Sequence, residues 1–193
     1  QHWLVSRERG APRVRENYPA LWREIAASAP PPVLLDGLLP MLRDWTLALS
    51  ECQFRSVRHA ATVAALNIVD GLGVACKSLH DFCDAAEIQI RDAEAQQAAG
   101  RLAALSAEHE QAQRAARALA AARDSLGVAL LSQRAKDVDP EIRRSCFEAL
   151  RRWAGADCET FVGQQWVRYL HFGISDRDPK ARAAVLAAIE ELL

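Results

Sequence analysis

Cys76, His80 and Cys83 stand at i, i+4 and i+7 in a stretch free of proline, a spacing that would put three potential zinc ligands on one helix face. A closed structural zinc site takes a fourth ligand, and none is near in the sequence. The trio therefore reads as two small apolar thiols and one polar seam residue. The remaining cysteines, Cys52, Cys146 and Cys158, also fall in apolar, helical stretches. An odd total of five fits reduced, buried thiols of an intracellular protein better than a disulfide framework. No glycine-rich phosphate loop, nucleophile elbow or metalloprotease motif is present. Asp and Glu are spread along helix faces, where they pair with Arg at i,i+4. The expectation is a protein without enzymatic activity, metal site or cofactor.

The aromatic residues say more. Trp153, Phe161, Trp166, Tyr169 and Phe172 crowd into 20 residues of a chain that is 6% aromatic. Trp153 and Phe161 read as core. Trp166, Tyr169 and Phe172 are three apart, Arg168 stands among them, and Arg143, Arg144, Arg151 and Arg152 precede them. An aromatic stripe beside arginine is the composition of a peptide-binding hot spot, with Trp166, Arg168, Tyr169 and Phe172 as its candidates. A second basic run, Arg7, Arg9, Arg13 and Arg15, is interleaved with Glu8 and Glu16. It reads as a solvated arm or as a set of DNA-phosphate contacts, with Arg143 and Arg144 as further DNA candidates. With 24 Lys plus Arg against 25 Asp plus Glu, the chain is no histone-like polycation.

These side chains need a helical scaffold. The 193 residues include 37 Ala but only 9 Gly and 8 Pro, which predicts an all-α protein. A helical pattern from Tyr18 to Ala29 stops at Pro30-Pro31-Pro32. A second covers Val33 to Leu49, with Leu34, Leu35, Leu38, Met41, Leu42 and Trp45 on one face and Pro40 as a kink or boundary. Ser50 reads as the N-cap of a third helix. From Phe54 to Ala99 a seam recurs at three and four: Ala61, Ala65, Ile68, Leu72, Ala75, Leu79, Phe82, Ala86, Ile90, Ala93. Gly71 and Gly73 would mark a bend or a close approach. Beyond a turn at Gly100 the seam resumes through Leu102, Leu105, His109, Ala112, Ala116, Leu119, Arg123, Leu126 and Leu130. That is an antiparallel hairpin, in which position 109 would meet roughly position 91. A helix of 46 residues would run about 69 Å. A globule of this length has a radius of gyration of about 16 Å, so the hairpin must protrude.

The last third repeats itself. Asp139-Pro140-Glu141-Ile142-Arg143 and Asp178-Pro179-Lys180-Ala181-Arg182 are offset by 39 residues. Each places Asp at an N-cap, Pro at the first helical position and Arg four residues after the Asp. Paired helices with a period near 40 are HEAT-like, with Phe161 to Phe172 as the second helix of the first unit. The expected parts are N-terminal solenoid helices over 1–53, the hairpin over 54–131 and HEAT-like repeats over 132–193, incomplete at the C-terminus. No run approaches 18 uncharged apolar residues, so no membrane span is expected. The start at Gln1-His2-Trp3, without Met, reads as an excised segment or an incomplete start.

From Asp137 to Leu193 the chain resembles the stromalin conservative domain of the cohesin subunit family called SA or STAG. The cues are Arg134-Ala135-Lys136-Asp137, Glu141-Ile142-Arg143, Cys146 with Glu148, Trp153, Phe161, Tyr169-Leu170-His171-Phe172, Asp176 and Arg182. Upstream, Ser50 to Thr62 (SECQFRSVRHAAT) resembles the segment that opens the helical arm of the same family. The resemblance implies a non-enzymatic subunit acting in sister-chromatid cohesion and chromatin organisation, in the nucleus and on chromatin. It implies binding to the kleisin subunit, mostly outside this segment, to DNA, and to regulators that carry aromatic-x-Phe motifs. Tyr169 and Arg168 match family residues of that peptide surface. Phe172 stands where many members have Trp, without the indole N–H, and Ala135 stands where Tyr is usual, removing one groove wall. A monomer is expected. The competing reading is a structural helical bundle that self-associates through its long hairpin.

Overall fold

The computed structural model describes residues 2, 4–6, 9–163 and 166–193. Among them the regular structure is helical, in nine α-helices and one π-helical turn. Helix α1 spans Ala11–Ser28, α2 Pro31–Val33, the π-turn Leu34–Leu38, and α3 Leu39–Ser50. The long pair is α4, Arg55–Ala95, and α5, Ala99–Arg134. Then come α6, Pro140–Ala156, α7, Cys158–Gly163, α8, Val167–Ile174, and α9, Pro179–Glu190.

Helix α1 begins seven residues before Tyr18, with Pro12 in its first turn, where a missing N–H costs nothing. It therefore carries Arg13 and Arg15, which the sequence assigned to an arm. Pro30 to Pro32 end the helix as expected, and the chain turns by 113° into the next helical segment. Pro40 has no N–H to offer the ladder, and the π-helical turn lies immediately ahead of it, with Leu39 N–H reaching Leu34 O. Ser50 is not an N-cap. It closes α3, and its hydroxyl donates to Leu47 O at 2.7 Å.

The core lies where α4 is enclosed by α1, α3, α5 and α6. Leu66, Ile68, Val69 and Leu72 meet Leu119, Leu126, Leu130 and Leu131 there, with Phe147 and Leu150 joining from α6. By length and hydropathy α4 could cross a bilayer, contrary to the expectation from its sequence. Its most apolar window is instead 67% buried within the protein, as befits a central core helix. Gly71 shows why α1 can lie so close. A Cβ there would strike the carbonyl of Arg23 and come within 2.8 Å of Ala26 Cβ. Gly73 faces open space. Gly71→Ala is therefore expected to cost about 1–3 kcal/mol by overpacking, even after the better helix propensity of Ala, whereas Gly73→Ala should stabilise slightly. Urea denaturation of both variants checks the contrast.

The hairpin turns three residues before Gly100. Gln96 to Ala98 form the link, and Gln97 takes the left-handed conformation at φ 53°. Gly100 lies inside the first turn of α5. The register shifts accordingly, so His109 meets Glu87 at 3.7 Å rather than position 91. The seam closes within the chain, α4 against α5. Toward the tip its buried residues are mainly Ala86, Ala93 and Ala112, so the outer half is thin and should exchange amide hydrogen readily. Phe82 departs from the expected seam and is 46% exposed.

The 39-residue repeat has a physical basis beyond its caps. Asp139 accepts from Glu141 N, and Asp178 from Lys180 N and Ala181 N. Two residues earlier, Asp137 accepts from Asp139 N and Asp176 from Asp178 N. Arg143 donates Nη1 to the carbonyls of Asp137 and Val138, and Arg182 does the same to Asp176 and Arg177. The other edge of Arg143, Nε and Nη2, then reaches the Asp176 carboxylate at 2.6 and 2.7 Å. That pairing raises the pKa of Arg143 and lowers that of Asp176. Arg58 repeats the geometry at the base of the hairpin, with Nη1 on the carbonyls of Cys52 and Gln53 and Nε and Nη2 on Asp137. The starts of α4, α6 and α9 thus share the arginine contact, though α4 has Phe54 at its N-cap and lacks the Asp-Pro cap of the other two. The hairpin is one lengthened helix pair within the same stack.

Candidate functional site: an aromatic and cationic surface on α8

Of the four peptide-binding candidates, the structure leaves two at the surface. Trp166 is 3% exposed and belongs to the core. Its ring lies 4.7 Å from that of Trp153 and 6.0 Å from that of Phe161, under the Arg123 guanidinium and against Gly127. Tyr169 is 2% exposed. Phe172, by contrast, is 52% exposed. Positions three apart rotate by about −60° at each step on an α-helix, so a stripe spaced 166, 169, 172 drifts through about 120°. One end must face the core and the other must leave it.

Around Phe172 the surface is cationic. Lys136 Nζ stands 4.7 Å from the centre of its ring. Arg168 is exposed, lies 4.9 Å over the Tyr169 ring and donates Nη2 to the Tyr169 hydroxyl at 2.9 Å. Tyr169 thus lies beneath Arg168, its ring and hydroxyl both in contact with the guanidinium. Lys136 was not among the candidates read from the sequence. It follows α5 in a loop, and nothing in the local pattern brings residue 136 to residue 172. Ala135 is buried beside it, where no side chain projects to form a wall.

The DNA candidates divide differently. Arg7 lies outside the described residues. Arg9 and Arg13 are exposed, and neither has a carboxylate partner among the described residues. Arg15 donates to Ser6 O at 2.6 Å. Arg143 is consumed by the repeat contacts, and Arg144 pairs with Glu141 at 2.6 Å and Glu148 at 3.2 Å. Both arginines thus have carboxylate partners within the chain, unlike Arg9 and Arg13 among the described residues. Arg151 and Arg152 are likewise paired, with Glu191 and Asp70. Cys76 and Cys83 are buried while His80 is exposed, so the zinc-spaced trio does not converge. Among the described residues no group of His, Cys, Asp and Glu could hold a metal ion. Cys146 is fully buried, and burial pushes its thiol pKa up, whereas Cys158 is exposed and Cys52 half-buried, against the expectation for all five.

The profile of the STAG domain matches residues 1–116, and that of the stromalin conservative domain matches residues 136–193. The chain is a member of the STAG family of cohesin subunits. Sister-chromatid cohesion protein 3 of Arabidopsis thaliana is 24% identical over 198 residues, covering 100% of this chain and 18% of the plant protein. Cohesin subunit SA-3 of Homo sapiens is 24% identical over 162 residues, covering 82% of this chain and 13% of the human one. The fold matches cohesin subunit Scc3 from Z. rouxii with a TM-score of 0.89 at 22% identity, over 100% of this chain and 23% of that one. This STAG chain thus spans under a quarter of the length of each of these relatives. The α8 surface lies in its stromalin conservative segment, and α1 to α4 in its STAG domain.

Proposed function

We propose that this STAG-family segment serves as a docking surface for short aromatic-x-Phe peptides of cohesion regulators, and through it acts in sister-chromatid cohesion on nuclear chromatin. The observation that carries the reading is Phe172, a half-exposed aromatic under Lys136 and one helical turn from an Arg168 that Tyr169 orients. An incoming aromatic ring stacks on Phe172, while the two cations select peptides with acidic flanks or a nearby carboxylate. Such a surface works by binding and not by catalysis. Relatives named as cohesin subunits and as a sister-chromatid cohesion protein support the setting. The three parts, 1–53, 54–131 and 132–193, belong to the same reading, with kleisin contacts mostly outside this segment and the protein monomeric. Arg9 and Arg13, which have no carboxylate partner among the described residues, are its phosphate contacts if DNA is bound.

Titration of a fluorescent aromatic-x-Phe peptide with acidic flanks tests the surface. Phe172→Ala should weaken binding by about tenfold or more, and Lys136→Ala or Arg168→Ala several-fold with a shallower salt dependence. Affinity unchanged in Phe172→Ala would sink the assignment. Trp166→Ala is expected to act through stability alone.

A further inference from the structure

A second surface lies where α2 and the π-turn face the hairpin. A groove of about 620 Å³ opens there, within the size range of ligand clefts. Pro31 and Leu35 form one wall, Leu79 and Phe82 of α4 the other, and Ala115 of α5 the floor. Phe82 is the residue whose seam position predicted burial, yet the chain leaves it 46% exposed on this groove. The rim carries Asp36 and Glu108, and neither has an ion-pair partner among the described residues. The cation of the rim, Arg114, is already paired with Glu110 at 3.3 Å.

We infer that this groove binds a short peptide segment of a partner protein, one that presents a bulky apolar side chain beside Lys or Arg. The apolar group covers Phe82 and Leu79, and the base is placed between the carboxylates of Asp36 and Glu108. Charge decides among occupants. A second copy docking groove to groove would bring like charges together, and a nucleic acid would meet an anionic rim. A basic, apolar peptide satisfies both the wall and the rim. The occupant is opposite in charge preference to that of the Phe172 surface, so the two sites can be told apart.

The test is selection of a random phage-displayed peptide library on the full chain carrying Phe172→Ala, which silences the other surface. Enriched peptides should hold a large aliphatic or aromatic residue next to, or one position away from, Lys or Arg. A fluorescent synthetic copy should lose about tenfold or more in affinity on Phe82→Glu, and on the double change Asp36→Lys with Glu108→Lys. Because all three side chains are exposed, the variants should keep the helical circular dichroism of the parent, and the rim pair gives a second readout if Phe82→Glu does not. Binding should also weaken as salt is raised. No enrichment, enrichment of acidic or uncharged peptides, or binding indifferent to the groove variants would overturn the proposal. So would a concentration-dependent dimer in light scattering that Phe82→Glu abolishes, since that would make a second copy the occupant.

Discussion

Asp137→Ala is expected to lower stability by about 3–5 kcal/mol, the usual cost of removing one partner from a buried ionic cluster. Asp137 has a side chain only 2% exposed and serves three donors. Arg58 approaches it with Nε at 2.9 Å and Nη2 at 3.3 Å, Arg134 at 2.6 Å, and the Asp139 amide at 2.9 Å. The two guanidinium groups are 12% and 13% exposed, so solvent cannot replace the carboxylate for them. The loss falls at the junction of the hairpin and the first repeat, because Arg58 also ties down the Cys52 and Gln53 carbonyls. At roughly 2–4 °C per kcal/mol for a chain of this size, the melting point should drop by about 10 °C. Asp137→Asn, which keeps an acceptor oxygen but loses the charge, should fall between the parent chain and the alanine variant. Thermal and urea denaturation measure it, and a cost below about 1 kcal/mol for the alanine variant would show that the cluster is solvated or replaceable.

The second large effect is a pH dependence centred on His59. This imidazole is 4% exposed, and burial, helped by the nearby charges of His2 and Arg55, holds its pKa down to about 4. Asp139 opposes the shift, and Arg144 adds to it. Ser145 donates its hydroxyl to Glu141 O, so it accepts from His59 Nε2–H at 3.2 Å. His59 Nδ1 then accepts from His2 Nε2 at 3.0 Å, and the network uses the neutral ring. An unfolded His binds its proton near 6.5, well above the folded value. Between these limits the unfolded chain holds more protons, so stability rises with pH. The contribution is complete above about 6.5 and lost as the pH falls toward 4. Between about pH 7.5 and about pH 5 the loss should be about 2 kcal/mol. His59→Gln should start lower at neutral pH but lose much less over the same interval. An unchanged slope in that variant would remove His59 as the cause. Below that window the depressed Asp176 adds a further loss, as its carboxylate protonates and releases Arg143.

The repeat shows how far local pattern reaches. Asp139-Pro140 and Asp178-Pro179 announce themselves because an N-cap and the proline behind it act within one turn, and both act as read. Arg58 is the same residue in the same role, yet 85 residues separate it from Arg143 instead of 39. The helix pair between them is lengthened, and a search for a fixed period passes over it. Trp166 and Phe172 illustrate the other limit. Their spacing shows that the stripe turns, but which end meets Trp153 depends on how α7 and α8 pack on α6, which no local interaction dictates.

Helical periodicity, alanine content and proline placement were enough to give the all-α class, the long antiparallel hairpin and the cap chemistry of the repeats. The forces behind them act within a few residues, so they are written in the chain, as is the family resemblance. Which charged groups remain at the surface was left to packing. Arg143 and Arg144, offered by their sequence to a phosphate, are taken by Asp176, Glu141 and Glu148, while Lys136, unremarkable in the chain, is carried to Phe172. Packing equally left Phe82 lining an open groove when its heptad position called for burial. Both outcomes have one cause: a side chain's exposure is set by what the rest of the chain packs against it, and the contacts that settle Phe172 and Phe82 come from segments 36 and about 30 to 50 residues away.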